Sequence, residues 1–348
     1  MMTFKVLLGS MALACGILAT TPPTAASAAP LEKGVSVMVY DSWGSDAEVT
    51  TAADATFAYL ESLGANATSI TFPIFMKKLT SSSITTGPTT PSEVRLALIV
   101  DSATSHHLSV QLRPMIDETS FAPGGWRGVI APNNVASWFA SYTALLEPYM
   151  AMAHDHGVNR FVIGSELTSM VRHRLQWKPL VAEAKTITGA DVAFDANWEP
   201  VEGLRHAGFG LDFYRPTPFK AGVTPTVAQL VKKMHLNLTT IGGGTFNLPP
   251  VPLNELVLSE VGVAAVSGSW NFPYETYSNQ VVTIRRSVQA RWFTAACQVA
   301  KQDHLRGIYY WTVFLAPWAS PSEDDNAYPF QWVGTTSANA IRDCFTAP

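Results

Sequence analysis

The sequence predicts one α/β domain, a (β/α)8 TIM barrel. Two observations point there. Short apolar, β-branched runs alternate with helical stretches eight times, the pattern of a parallel sheet covered by helices. Two of those runs, Phe161-Val162-Ile163-Gly164-Ser165-Glu166-Leu167 and Leu256-Val257-Leu258-Ser259-Glu260-Val261-Gly262, carry Ser-Glu at their ends. Each therefore reads as a buried strand delivering a glutamate at its C-terminal tip. Such barrels gather their reacting groups at that end of the strands.

The elements follow in order along the chain. Gly34 to Tyr40 alternates apolar residues and reads as strand one, followed by an amphipathic helix from Asp46 to Leu63 that Gly64 stops. Thr68 to Phe75 is strand two. After a Ser/Thr/Gly/Pro loop from Thr80 to Thr90, Pro91-Ser92-Glu93 opens a helix that runs to His107. Leu108 to Met115 is strand three, and Phe121 to Pro132 a longer loop. A helix from Asn134 to His156 stops at Gly157. Arg160 to Gly164 is strand four, Lys178 to Thr188 a helix, and Asp191 to Ala196 strand five. A short helix, Pro200 to His206, precedes strand six at Leu211 to Tyr214. Thr226 to Thr240 is a helix and Glu255 to Ser259 strand seven. A long helix, Ser278 to Gln302, leads to strand eight at Arg306 to Trp311. Ser337 to Phe345 is a terminal helix.

Residues 1–28 read as a signal peptide. Lys5 supplies the positive start, Val6 to Ala19 is largely apolar, and Ala26-Ser27-Ala28 is a small-x-small cleavage pattern. The apolar run is too short to span a bilayer, so no membrane span is expected. The barrel is expected over residues 29–348, in a secreted or periplasmic protein, with a lipid anchor through Cys15 as the alternative. Two cysteines, Cys297 and Cys344, then remain, both on helices near the C-terminus. They allow one disulfide in an exported protein; two free buried thiols are the other reading.

Composition narrows the ligand. The chain is 47% hydrophobic and 14% charged, with net charge -4 and ten Trp. Without a basic stripe, nucleic acid is not an expected partner. An uncharged ligand suits these numbers better, and sugar rings present C–H faces that pack on aromatic rings.

The strand ends supply the candidate chemistry. In order they offer Tyr40, Asp41 and Trp43; Arg113 and Asp117; Glu166; Asn197 and Trp198; Asp212, Tyr214 and Arg215; Glu260; and Trp311. A carboxylate in a buried strand end is costly unless paired or put to use. Two of them, one protonated and one ionised, suffice to break a glycosidic bond. Glu166 and Glu260 are therefore the candidate catalytic pair. Arg113 and Tyr214 are placed to keep a nucleophile ionised, and Trp43, Trp198 and Trp311 to act as sugar platforms. No cofactor is needed and no metal site is expected, since none of the eight His falls at a strand end.

Several segments resemble a known family. Ile163-Gly164-Ser165-Glu166-Leu167 is similar to the strand-four signature of glycoside hydrolase family 113, and Ser259-Glu260-Val261-Gly262 to its strand-seven segment. Ala196-Asn197-Trp198, Asp212-Phe213-Tyr214-Arg215-Pro216 and Gly307-Ile308-Tyr309-Tyr310-Trp311 resemble its strand-five, strand-six and strand-eight ends. The resemblance implies a retaining endo-β-1,4-mannanase, with Glu166 as acid/base and Glu260 as nucleophile. Ser165 stands where most of the wider clan has an Asn that holds the sugar 2-hydroxyl, and Arg215 where an apolar or aromatic residue is expected. Action on another β-glycan (glucan, xylan, galactan) and a non-catalytic carbohydrate-binding barrel are the alternatives.

Other segments read as ordinary structure. Trp138, Trp177 and Trp292 are expected to pack on helices, while Trp126, Trp270 and Trp318 sit on loops. His154-Asp155-His156 lies at a helix end just before Gly157, where cationic side chains are favoured, and reads as capping. Gly242-Gly243-Gly244 lacks the Lys-Ser/Thr of a phosphate loop and reads as a turn. Glu323-Asp324-Asp325-Asn326 reads as a solvated loop.

Overall fold

The structure, a computed structural model, describes residues 30–197, 204, 207–241, 252–277, 280–316 and 328–347. Its eight strands form one closed barrel in sequence order: β1 (Glu32–Met38), β2 (Ala67–Phe75), β3 (Ser109–Asp117), β4 (Arg160–Ser165), β5 (Asp191–Ala196), β6 (Gly208–Asp212), β7 (Val257–Val261) and β8 (Gly307–Phe314). All neighbours pair in parallel, and β8 returns to β1. The helices around them are α1 (Asp46–Ser62), α2 (Glu93–Ser105), α3 (Val135–Asp155), α4 (Arg174–Thr188), α5 (Val227–Ile241), α6 (Arg286–Gln302) and α7 (Thr336–Thr346). This is the predicted TIM barrel.

Local chemistry sets the helix ends. Ser45 accepts from the Glu48 N–H while Glu48 reaches back to the Ser45 N–H, a capping box that starts α1. Ser92, Asn134 and Thr335 cap α2, α3 and α7, each side chain accepting one backbone N–H. His156 is the C-cap of α3, with Gly157 following at φ 66°, as expected of that His-rich end.

Strand alternation then sorts the side chains into two layers. On β5, Phe194 points outward and meets Trp177 of α4, ring centroids 5.5 Å apart. Trp177 in turn meets Phe139 of α3 at 5.0 Å. Trp138, Trp177 and Trp292 are all buried in this layer, so they are core, as is Trp270. The next residue on β5, Asp195, points inward and joins a column of polar groups that fills the barrel.

At the floor of that column Arg160 donates to both carboxylate oxygens of Glu32, at 2.9 and 2.7 Å. Arg306 and Tyr309 bind the same carboxylate, each at 2.9 Å. One layer up, Gln111 donates to Ser69 at 3.0 Å, and Ser259 donates to Asp195 at 2.8 Å across the β6 backbone. That crossing requires Gly210 of β6, because a Cβ there would stand 1.9 Å from Asp195 Oδ1 and 2.0 Å from Ser259 Oγ.

Several boundaries differ from the sequence reading, β3 running on to Asp117, β6 starting at Gly208 and β8 reaching Phe314. β1 ends at Met38, so Tyr40, Asp41 and Trp43 lie on the loop beyond it. α4 begins at Arg174, with Pro179 inside it. α6 begins at Arg286 instead of Ser278; the run Val281-Val282-Thr283-Ile284 is β-branched and resists helix. The expected helix Pro200 to His206 lies mostly outside the described residues, as do the signal peptide, Cys15, the Gly242–Gly244 turn, Trp318 and Glu323 to Asn326. Cys297 of α6 and Cys344 of α7 form a disulfide, their Cα atoms 5.8 Å apart. Among the described residues no helix is long and apolar enough to cross a membrane.

Candidate active site

The polar column ends upward in a cleft at the C-terminal mouth of the barrel. Its volume is about 500 Å³, and Glu166, Glu260, Trp126, Arg127, Asn197, Tyr214 and Trp311 are among the residues lining it. Both glutamates of the sequence reading therefore face one cavity.

Glu260 reaches the cleft through an irregularity in its strand. The register of β7 shifts between Leu258 and Glu260 against β6, and between Leu258 and Val261 against β8. A bulge of this kind re-aims side chains. Ser259 and Glu260, consecutive in sequence, thereby both point inward. Tyr214 Oη donates to Glu260 Oε2 at 2.7 Å, and Arg113 Nη1 donates to Glu260 Oε1. Two donors, one of them cationic, suit an ionised carboxylate.

Arg113 is fully buried and is itself gripped from below. Its Nη2 donates to both oxygens of Asp212, at 3.0 and 2.8 Å, and to Ser165 Oγ. Its Nε lies 2.8 Å from Asp195 Oδ2 as an ion pair, off the line of a good hydrogen bond. Trp311 packs against the guanidinium, 5.7 Å from its ring centroid. Three carboxylates around one cation are more negative than the cation can balance. Burial pushes the Asp212 carboxyl well above the usual range, Arg113 opposes this, and Glu260 and Asp195 add to it.

Glu166 stands apart from this network. It follows the last residue of β4 with φ 54°, a left-handed conformation that a non-glycine residue adopts at a cost and that clusters at functional sites. The turn is held by its N–H donating to Asp195 O at 2.9 Å. Only 15% of its side chain is exposed. The loop between β3 and α3 reaches over it: Trp126 Nε1 donates to Glu166 Oε2 at 3.4 Å and Arg127 Nη1 at 3.2 Å. Arg127 is fixed by its Nε donating to Ile116 O at 2.9 Å and by Glu118, 3.2 Å from the same nitrogen. Burial raises the Glu166 carboxyl to about 7, Arg127 pulling it down and Glu260 pushing it further up. A proton donor poised near neutrality thus faces a carboxylate clamped by donors, the separation of roles that glycosidic cleavage requires.

Of the other candidates, Arg113, Asn197, Tyr214 and Trp311 are brought together here. Trp43 is part-buried against the core beyond β1 and is not among the cleft-lining residues. Trp198 lies outside the described residues. Sequence reasoning missed Arg127, and with it the role of Trp126. The available signal was Gly124-Gly125-Trp126-Arg127-Gly128 on the loop after β3: the Trp126 ring lies over Gly128, where a Cβ would meet it at 2.3 Å. Among the described residues no group of three His, Cys, Asp or Glu side chains is placed to hold a metal ion.

A closed eight-stranded α/β barrel with this divided glutamate pair at its mouth defines a glycoside hydrolase, an enzyme of O-glycosyl bonds. The family model of Glycoside Hydrolase Family 113 matches residues 41–209, just under half of the chain. The match includes Glu166 and stops before Glu260, and it bears out the family resemblance read from the strand-end motifs. No curated protein matches the chain in sequence. Among solved structures, a family 113 β-mannanase from Alicyclobacillus acidocaldarius superposes with TM-score 0.73 at 21% identity, over 92% of this chain and 99% of the other. A second family 113 β-1,4-mannanase gives 0.73 at 16% identity, over 91% and 99%. An endo-β-1,4-mannanase from Thermotoga petrophila gives 0.53 at 11%, over 90% and 75%. At these identities the likeness is one of fold.

Proposed function

We propose that the protein is an exported, retaining glycoside hydrolase that cleaves β-1,4-mannan or its oligosaccharides by double displacement. The observation that carries this reading is the division of labour between Glu166, its carboxyl raised to about 7 by burial, and Glu260, held by Arg113 and Tyr214. In the first step Glu166 gives its proton to the glycosidic oxygen and the bond from that oxygen to the anomeric carbon breaks. Glu260 attacks the same carbon from the opposite face and forms an ester. In the second step the Glu166 carboxylate takes a proton from water, the water oxygen attacks the anomeric carbon, and Glu260 leaves. Two inversions return the β configuration. Arg113 and Tyr214 hold Glu260 in place before attack and receive it again as a carboxylate afterwards.

The choice of mannan rests on the family match and on the mannanases among the similar structures. Export is supported by the Cys297–Cys344 disulfide, a bond that persists in oxidising compartments. Hydrolysis of β-mannan and manno-oligosaccharides by the parent and by Glu260→Ala tests the proposal, with proton NMR of the first anomer formed. A β product that appears first in the parent and is lost in the variant is expected. An α product first contradicts retention, and silence on mannan with turnover of glucan, xylan or galactan contradicts the substrate.

A further inference from the structure

We infer that Asn197 reads the hydroxyl on the sugar carbon next to the reacting one, and that the enzyme therefore requires a substrate with a free 2-hydroxyl at the cleavage point. The inference rests on the hydrolase reading above and concerns the same cleft.

Asn197 follows β5 and shares the inward face with Asp195, two positions before it. It is 6% exposed, lines the cleft with both glutamates, and its Oδ1 is buried without a hydrogen-bond partner. A buried amide oxygen left unpaired is unfavourable, so native structures rarely keep one without a use for it. The polar groups around it are already committed. Ser165 Oγ donates to Asp212 at 3.1 Å and accepts from Arg113. Tyr214 Oη is spent on Glu260, and Trp126 Nε1 and Arg127 Nη1 on Glu166. Among the described residues that line the cleft, Asn197 is thus the one whose buried side chain keeps an open acceptor.

The position of that valence selects its partner. A sugar being cleaved must set its anomeric carbon between Glu166 and Glu260, which end β4 and lie on β7. The amide of Asn197 lies on the arc between them. Two ring atoms flank the anomeric carbon. The ring oxygen has no hydrogen to give to Oδ1, whereas the neighbouring carbon carries a hydroxyl that does. Hydrogen bonds to that hydroxyl strengthen as the oxocarbenium-like transition state forms. Ser165, buried beneath Arg113, is not free to make this contact.

The test compares the full-length parent with Asn197→Ala on aryl β-glycosides of one sugar in 2-hydroxy, 2-deoxy and 6-deoxy forms. For the variant, kcat/KM is expected to fall about 10²-fold on the 2-hydroxy and 6-deoxy substrates, the loss typical of a removed transition-state contact. On the 2-deoxy substrate parent and variant should agree within about threefold, because the contact is already missing. An equal loss on the 2-deoxy substrate overturns the inference, and so does a loss that vanishes on the 6-deoxy one. Should Asn197→Ala fail to fold, Asn197→Ser carries the same comparison with a smaller change in shape. A parent inactive on every 2-hydroxy glycoside contradicts the hydrolase reading as well. An active parent with no 2-hydroxyl-dependent loss contradicts this inference alone.

Discussion

The proposed mechanism asks Glu166 to keep a proton beside a network that crowds negative charge. Its carboxyl lies at about 7 because burial disfavours the anion, an effect that Arg127 partly offsets and Glu260 reinforces. The sign of the pH dependence follows. Below about 7 Glu166 carries the proton that the proposed mechanism gives to the leaving oxygen; above it the proton is gone. The free-enzyme profile of kcat/KM should therefore fall as pH rises through about 7. Arg127→Met removes the charge that favours the anion, and the falling limb should move upward by about one unit. A limb that stays put or moves down shows that Arg127 does not govern Glu166. At this scale much was legible in the sequence. In the sequence reading Glu166, Glu260, Arg113 and Tyr214 stood at strand ends, where a barrel places its chemistry; Arg113 in fact lies mid-strand in β3 and reaches Glu260 from there. Arg127 was hidden because a loop's path over a neighbouring strand end leaves no periodic trace.

The elements themselves were legible where burial imposes a pattern. The β-branched runs of β2, β4 and β7 and the caps Ser92 and Asn134 mark their elements directly. What pattern could not show was the inward turn of Glu260. Strict alternation puts Ser259 and Glu260 on opposite faces, and the bulge in β7 is what sends both inward. The same holds for Asp195. In the sequence reading it lay inside strand five without a role, yet it faces Arg113 and supports the turn of Glu166 through its backbone oxygen. The start of α6 was misjudged because the sequence reading ran the helix pattern through Val281 to Ile284, where β-branching favours extended chain.

For the molecule as a whole, stability and chemistry occupy separate layers. The ring of apolar and aromatic contacts between sheet and helices holds the fold. The charged column inside the barrel spends burial on positioning, since buried ion pairs contribute little net stability while orienting their members. The disulfide ties α6 to α7 across 47 positions of sequence. Replacing both Cys297 and Cys344 by Ser should lower the unfolding free energy by about 2–4 kcal/mol, read as a lower urea midpoint; an unchanged midpoint would place the stability elsewhere. Attack of Glu260 on the sugar can be caught by trapping the ester it forms. The parent is incubated with an activated 2-deoxy-2-fluoro-β-glycoside, digested, and mapped by mass spectrometry. One fluoro-sugar is expected on the peptide that contains Glu260 and none in Glu260→Ala; a sugar on another residue, or no adduct in an enzyme that turns over the parent glycoside, rules Glu260 out as the nucleophile.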